Sequence, residues 1–133
     1  MASPQVRFRV DFSDACSVGV GKIQLLEAIA RTGSLSQAAR ELAMSYRRAW
    51  LLIDSLNREF DAPVASTSIG GSGGGGAVLT EFGRELTRAY RELELAIRRL
   101  AGAQLRRIAD HAVHDRRVAL DLPPRQRLAR RLR

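Results

Sequence analysis

Ser45-Tyr46-Arg47-Arg48 sets a hydroxyl that can cap a helix just ahead of an aromatic ring and two guanidinium forks. On the exposed first turn of a helix, such forks match the two major-groove acceptors of guanine, or they clamp a phosphate. The residues suited to catalysis make a poorer pattern. Cys16 is the single cysteine, so no intrachain disulfide forms, and its thiol is expected to be inert. His111 and His114 are spaced for one helix face, but no partnering cysteine or carboxylate pattern accompanies them. No Ser/His/Asp set or carboxylate pair stands out. No catalytic residue, metal or cofactor is expected, and the chain is not read as an enzyme.

A second group could approach phosphates through its backbone. Gly70-Gly71-Ser72-Gly73-Gly74-Gly75-Gly76 holds six glycines in seven residues. A nucleotide-cradling loop would end in Gly-Lys-Ser/Thr and open a helix. Here no lysine follows, and the next residues, Ala77-Val78-Leu79, are β-prone. With Val64–Ile69 on the other side, the tract reads as the tip of a hairpin whose bare amides come close to a polyanion.

Helices must hold both groups in place. Lys22–Arg31 carries a broad apolar stripe and stops at Thr32-Gly33. Ser34 with Gln37 three residues on forms a capping box for a short helix whose apolar side is Ala38, Ala39 and Leu42. Ala43-Met44 is the turn, and Ser45 caps a helix over Tyr46–Phe60 with Ala49, Ile53, Leu56 and Phe60 inward. Small residues where two helices cross closely, and a tight link, predict a helix-turn-helix over Leu35–Ile53. Its turn has Ala43 in place of the frequent glycine. Trp50 is expected to pack against the wing or the last helix. Upstream, Val6, Phe8, Val10 and Phe12 alternate with polar residues, predicting a half-buried strand over Val6–Phe12, then a loop over Ser13–Gly21. Downstream, Thr80 caps a long helix with Phe82, Leu86, Ala89, Leu93, Ile97 and Leu100 on a narrow seam, the kind that pairs with another helix.

Charge favours a polyanionic partner. The 133 residues carry a formal net charge of +8. From Ala101 on there are nine arginines and three aspartates, while the first hundred residues are nearly neutral. Such a tail is expected to add affinity for DNA without specificity. No apolar run approaches the roughly 18 to 20 residues of a membrane span. No signal pattern opens the chain, and the expected location is the cytoplasm.

Gly33-Ser34-Leu35-Ser36-Gln37-Ala38-Ala39, Ser45-Tyr46-Arg47-Arg48-Ala49-Trp50 and the tract from Gly70 to Thr80 together resemble the N-terminal DNA-binding domain of ModE-type molybdenum-dependent transcriptional regulators. That domain is a winged helix of the LysR-type helix-turn-helix class, and the resemblance covers about Val6 to Leu100. It implies a homodimer joined through the long helix and bound to a palindromic operator in double-stranded DNA. It also implies phosphate contacts from Ser34, Ser36 and Gln37, and major-groove contacts from Ser45, Tyr46 and Arg47, with Arg48 beside them. The wing of Gly71, Ser72, Gly73, Gly74, Gly75 and Gly76 would lie along the backbone. Leu86, Leu93, Ile97 and Leu100 would form the dimer interface. Ser72 stands where the family commonly has lysine, and Arg48 where it has a small polar residue. The 33 residues after Leu100 are arginine-rich and unpatterned, so direct molybdate binding is not expected in this chain.

The expected fold is therefore α+β, mainly α. It is a winged helix-turn-helix with an N-terminal strand, a glycine-rich β wing and a long C-terminal dimerisation helix. The DNA-binding domain is expected over 1–80, the long helix over 81–113 and a basic tail over 114–133. The function expected is DNA-binding transcriptional regulation linked to molybdenum. The alternative from another class is a protein-interaction module with a degenerate DNA surface and a basic docking tail.

Overall fold

Apolar residues three and four apart, each run opened by a hydroxyl or stopped by glycine, dictate most of the architecture. The computed structural model describes residues 4–68 and 76–113. In order along the chain these form β1 (Arg9–Ser13), β2 (Cys16–Gly19), α1 (Val20–Thr32), α2 (Leu35–Glu41), α3 (Tyr46–Glu59), β3 (Ala65–Thr67), β4 (Ala77–Leu79) and α4 (Glu81–Ala109). The fold is α+β, mainly α: a winged helix-turn-helix. The glycine tract from Gly70 to Gly75 and the tail from His114 on lie outside the described residues.

The chain divides into two units, Val6–Ile97 and the two ends, Met1–Gln5 with Arg98–Arg133. The first holds the hydrophobic core. Ile23, Leu25, Leu26 and Ile29 of α1 are fully buried, with Ala38 and Ala39 of α2, Ala49, Ile53 and Leu56 of α3, and Val64 before the wing. Leu86 and Tyr90 of α4 join the same cluster. In the second unit, Arg98–Ala109 continues α4, and Leu100, Leu105 and Ile108 there are 58%, 42% and 56% exposed.

The N-terminal region departs from expectation. The strand begins at Arg9 and is one arm of an antiparallel hairpin, with β2 as the other arm, where a loop was expected. Val10 pairs with Val18 and Arg9 with Gly19. β2 supplies the buried side chains, Cys16 and Val18, while Phe12 on β1 is 55% exposed. Phe12 meets Phe60 edge-to-face at 5.5 Å, and Phe60 meets Phe82 at 5.2 Å, so the alternation marks an aromatic surface row. Phe8 stacks on Tyr90 at 4.7 Å, and the Tyr90 hydroxyl donates to the Phe8 carbonyl at 2.9 Å. Burial pushes the Cys16 thiol pKa up, and Glu59 nearby adds to this, so the thiol stays protonated at neutral pH.

Two further contacts fix α4 on the body. Arg91 binds Glu27 of α1 with two bonds of 2.6 and 3.0 Å. At Gly83 a Cβ would lie 2.0 Å from the Val64 carbonyl oxygen, so only glycine allows this close approach.

Candidate nucleic-acid interface

The helix-turn-helix is built from local bonds. Gly33, with φ of 69°, ends α1 in the left-handed conformation, and its amide donates to Ile29 at 2.8 Å. Ser34 then caps α2, its hydroxyl accepting from the Gln37 amide at 3.2 Å. The reciprocal arm of the expected capping box is absent. The Ser34 amide donates to Thr32 Oγ1 at 3.3 Å instead, which leaves the Gln37 side chain exposed beside Ser36. Leu42 closes α2, and Ala43 takes φ of 53°, where glycine would be unstrained. The Met44 amide returns to the Ala39 carbonyl at 3.0 Å, folding the chain into α3.

Ser45 caps α3, accepting from the Arg48 amide at 3.1 Å. Ala49, Ile53 and Leu56 face the core. The first turn therefore projects Tyr46, Arg47 and Arg48 outward, all exposed, with Tyr46 at 55%. Trp50 is 42% exposed, and its position lies beside the core stripe rather than within it.

The wing base stands next to α2. β3 and β4 pair antiparallel, Ala65 with Leu79 and Thr67 with Ala77. Gly76 bridges Ser34, and the Ala77 amide donates to the Gly33 carbonyl at 3.0 Å. Two residues expected to meet phosphates, Ser34 and Gly76, are thus neighbours. Gly71, Ser72, Gly73, Gly74 and Gly75 lie outside the described residues.

One positioning residue escaped the sequence. Asn57, at the far end of α3, accepts from the Val64 amide at 2.8 Å and donates to the Ala65 carbonyl at 3.0 Å. Its amide group mimics a strand partner and ties the base of the wing to α3. Its only advance signal was a weak helix former late in a helical stripe. Thr80 completes the frame, capping α4 through the Gly83 amide at 2.9 Å and donating to the Pro63 carbonyl at 2.6 Å.

The expected dimer residues separate by environment. Leu86 is in the core of its own chain, Ile97 is half-buried, and Leu93 and Leu100 are 43% and 58% exposed. Among the described residues no group of three His, Cys, Asp or Glu is arranged to hold a metal. No helix there is long and apolar enough to cross a membrane.

Residues 20–84, from α1 through the start of α4, match the family of bacterial regulatory helix-turn-helix proteins of the lysR type. The match covers just under half of the chain and includes α1, α2, α3 and the wing strands β3 and β4. The chain is similar to the molybdenum-pterin-binding protein MopB of Rhodobacter capsulatus, 45% identical over 83 residues, 62% of this chain and 31% of that protein. The molybdenum transport protein ModE of Azotobacter vinelandii is 38% identical over 89 residues, 67% of this chain and 33% of that protein. The DNA-binding transcriptional dual regulator ModE of Escherichia coli K12 is 42% identical over 69 residues, 52% of this chain and 26% of that protein. The chain thus spans about a third or less of each of these three relatives.

Proposed function

We propose that this chain is a DNA-binding transcriptional regulator of the ModE type, working in the cytoplasm by binding rather than catalysis. Two copies would read a palindromic operator, with one α3 in each major groove. The observation that carries this function is the outward first turn of α3, where a Ser45-capped helix presents Arg47 and Arg48 with the core stripe turned away. In this arrangement Arg47 bonds guanine. Arg48, Ser34, Ser36 and Gln37 hold phosphates, and the wing from Gly71 to Gly76 follows the backbone. The molybdenum link rests on the relatives, whose names refer to molybdenum-pterin binding and molybdenum transport.

Dimerisation is assigned to the outer part of α4, through Leu93, Ile97 and Leu100. Leu86 is left out of that seam because its own chain buries it. A single half-site binds weakly, and a paired helix doubles the contacts and fixes their spacing. Leu93→Arg is expected to give a monomer by sedimentation, with most operator affinity gone. A wild-type chain that is monomeric at micromolar concentration contradicts the dimer. DNA binding itself is tested by recovery from a random duplex pool, with a footprint and a salt titration. A steep salt slope together with a defined footprint is expected. Recovery of no preferred sequence sinks the regulator and favours a protein-interaction module.

A further inference from the structure

Leu51 is 48% exposed and lies outside the hydrophobic core, although it sits in the middle of α3. The turn of the helix explains its position. Ala49, Ile53 and Leu56 define the buried side, and at about 100° per residue Arg47, Leu51 and Arg58 form the ridge farthest from it. The neighbouring Leu52 packs against the core edge, so the fold does not require an apolar side chain at position 51.

A lone exposed leucine is ordinary on a protein surface. This one is set apart by its neighbours. One turn before it stands Arg47. One turn after it stands Asp54, which pairs at 2.8 Å with Arg58 a further turn on and leaves that part of the ridge self-neutralised. Leu51 and Leu52 also line, together with Ser45, Arg47, Arg48 and Ser55, a shallow concavity of about 400 Å³. Apolar side chains set among donors suit a surface that is mostly acceptors but carries one apolar group. The major groove offers one such group, the 5-methyl of thymine.

We propose that Leu51 is a specificity residue that reads a thymine methyl next to the guanine held by Arg47. This inference rests on the DNA-binding function proposed above and deepens it. Four residues of helix rise about 6 Å. A base step rises about 3.4 Å. The thymine therefore lies within about two base pairs of that guanine.

The test starts from the operator recovered by wild-type protein from a random pool. Each thymine is then replaced singly by deoxyuridine, which removes the methyl and keeps every hydrogen bond. Affinity is expected to fall about fourfold at one thymine per half-site, the effect of one methyl group leaving an apolar contact. Because both half-sites lose the contact, Leu51→Ala should lower affinity for the thymine operator by about sixteenfold and bind thymine and uracil there equally. Its thermal midpoint should match wild type, since the side chain is not in the core. Uracil without effect at every thymine, or Leu51→Ala still preferring thymine, overturns the proposal. A consensus with no thymine near that guanine does so too. Failure to recover any preferred DNA overturns both the proposal and the function beneath it, whereas a clear operator indifferent to uracil overturns Leu51 alone.

Discussion

The two ends of α3 do opposite work with the same helix. Towards its C-terminal end two polar side chains, Asn57 and Glu59, reach the rest of the fold. Asn57 holds the backbone of Val64 and Ala65. Ser55 donates to Glu59 at 2.7 Å, and Glu59 faces Lys22 at 3.6 Å. Lys22 in turn donates to the Ser17 carbonyl of the N-terminal hairpin at 2.7 Å. At the N-terminal end only Ser45 is spent locally, on the cap, while Tyr46, Arg47, Arg48 and Leu51 are exposed. One end anchors and the other is available to a ligand. A recognition helix needs this division, because base readout demands a fixed pose from side chains that make few contacts of their own.

Changes at the anchored end should cost stability first. Leu56 is fully buried, and Leu56→Ala is expected to lower unfolding free energy by about 2 to 5 kcal/mol. Chemical denaturation reads this, and a loss under 1 kcal/mol would mean that α3 is not seated as described. Asn57→Ala leaves the Val64 amide without its side-chain acceptor, and about 1 to 3 kcal/mol should be lost. The same change should raise amide exchange at Val64 and Ala65 while leaving exchange at the Arg48 and Ala49 amides, both bonded to Ser45, as in wild type. Uniform exchange along α3 would show that the two ends are not distinct.

The turn before the free end carries a smaller effect of opposite sign. Ala43 holds φ of 53°, and a left-handed alanine costs roughly 1 to 2 kcal/mol against an unstrained backbone. Because glycine gains entropy when unfolded, the net gain from Ala43→Gly is about 0.5 to 1 kcal/mol. A rise of a few degrees in thermal midpoint is expected, with the operator consensus unchanged. A fall in midpoint would show that Ala43 packs favourably.

Most helices were legible because their signals are local. Ser34, Ser45 and Thr80 cap where hydroxyls precede apolar stripes, and Gly33 stops α1 as its position predicts. The N-terminal hairpin was not, since Cys16–Gly19 has only two apolar residues and its pairing with β1 is a tertiary fact. Phe12 misled for the same reason: alternation shows a strand has two faces but not which one the core covers. At the interface, the capped first turn with Arg47 could be read from spacing. Asn57 and Leu51 could not, because their roles depend on the wing backbone and on which way the helix is turned. The bridge that sets Gly76 beside Ser34 joins residues 42 apart in sequence, beyond any local pattern.

The claim at the centre is that the free end of α3 reads bases, and Arg47→Ala tests it most directly. Wild type and variant are each used to select sites from one random duplex pool, and affinities are measured for the cognate operator and for random DNA. The variant should lose about 1 to 3 kcal/mol on the operator beyond its loss on random DNA, and its consensus should relax at one position per half-site. An unchanged consensus, with both affinities falling equally and the salt slope reduced by about one unit, would make Arg47 a phosphate clamp and contradict the account.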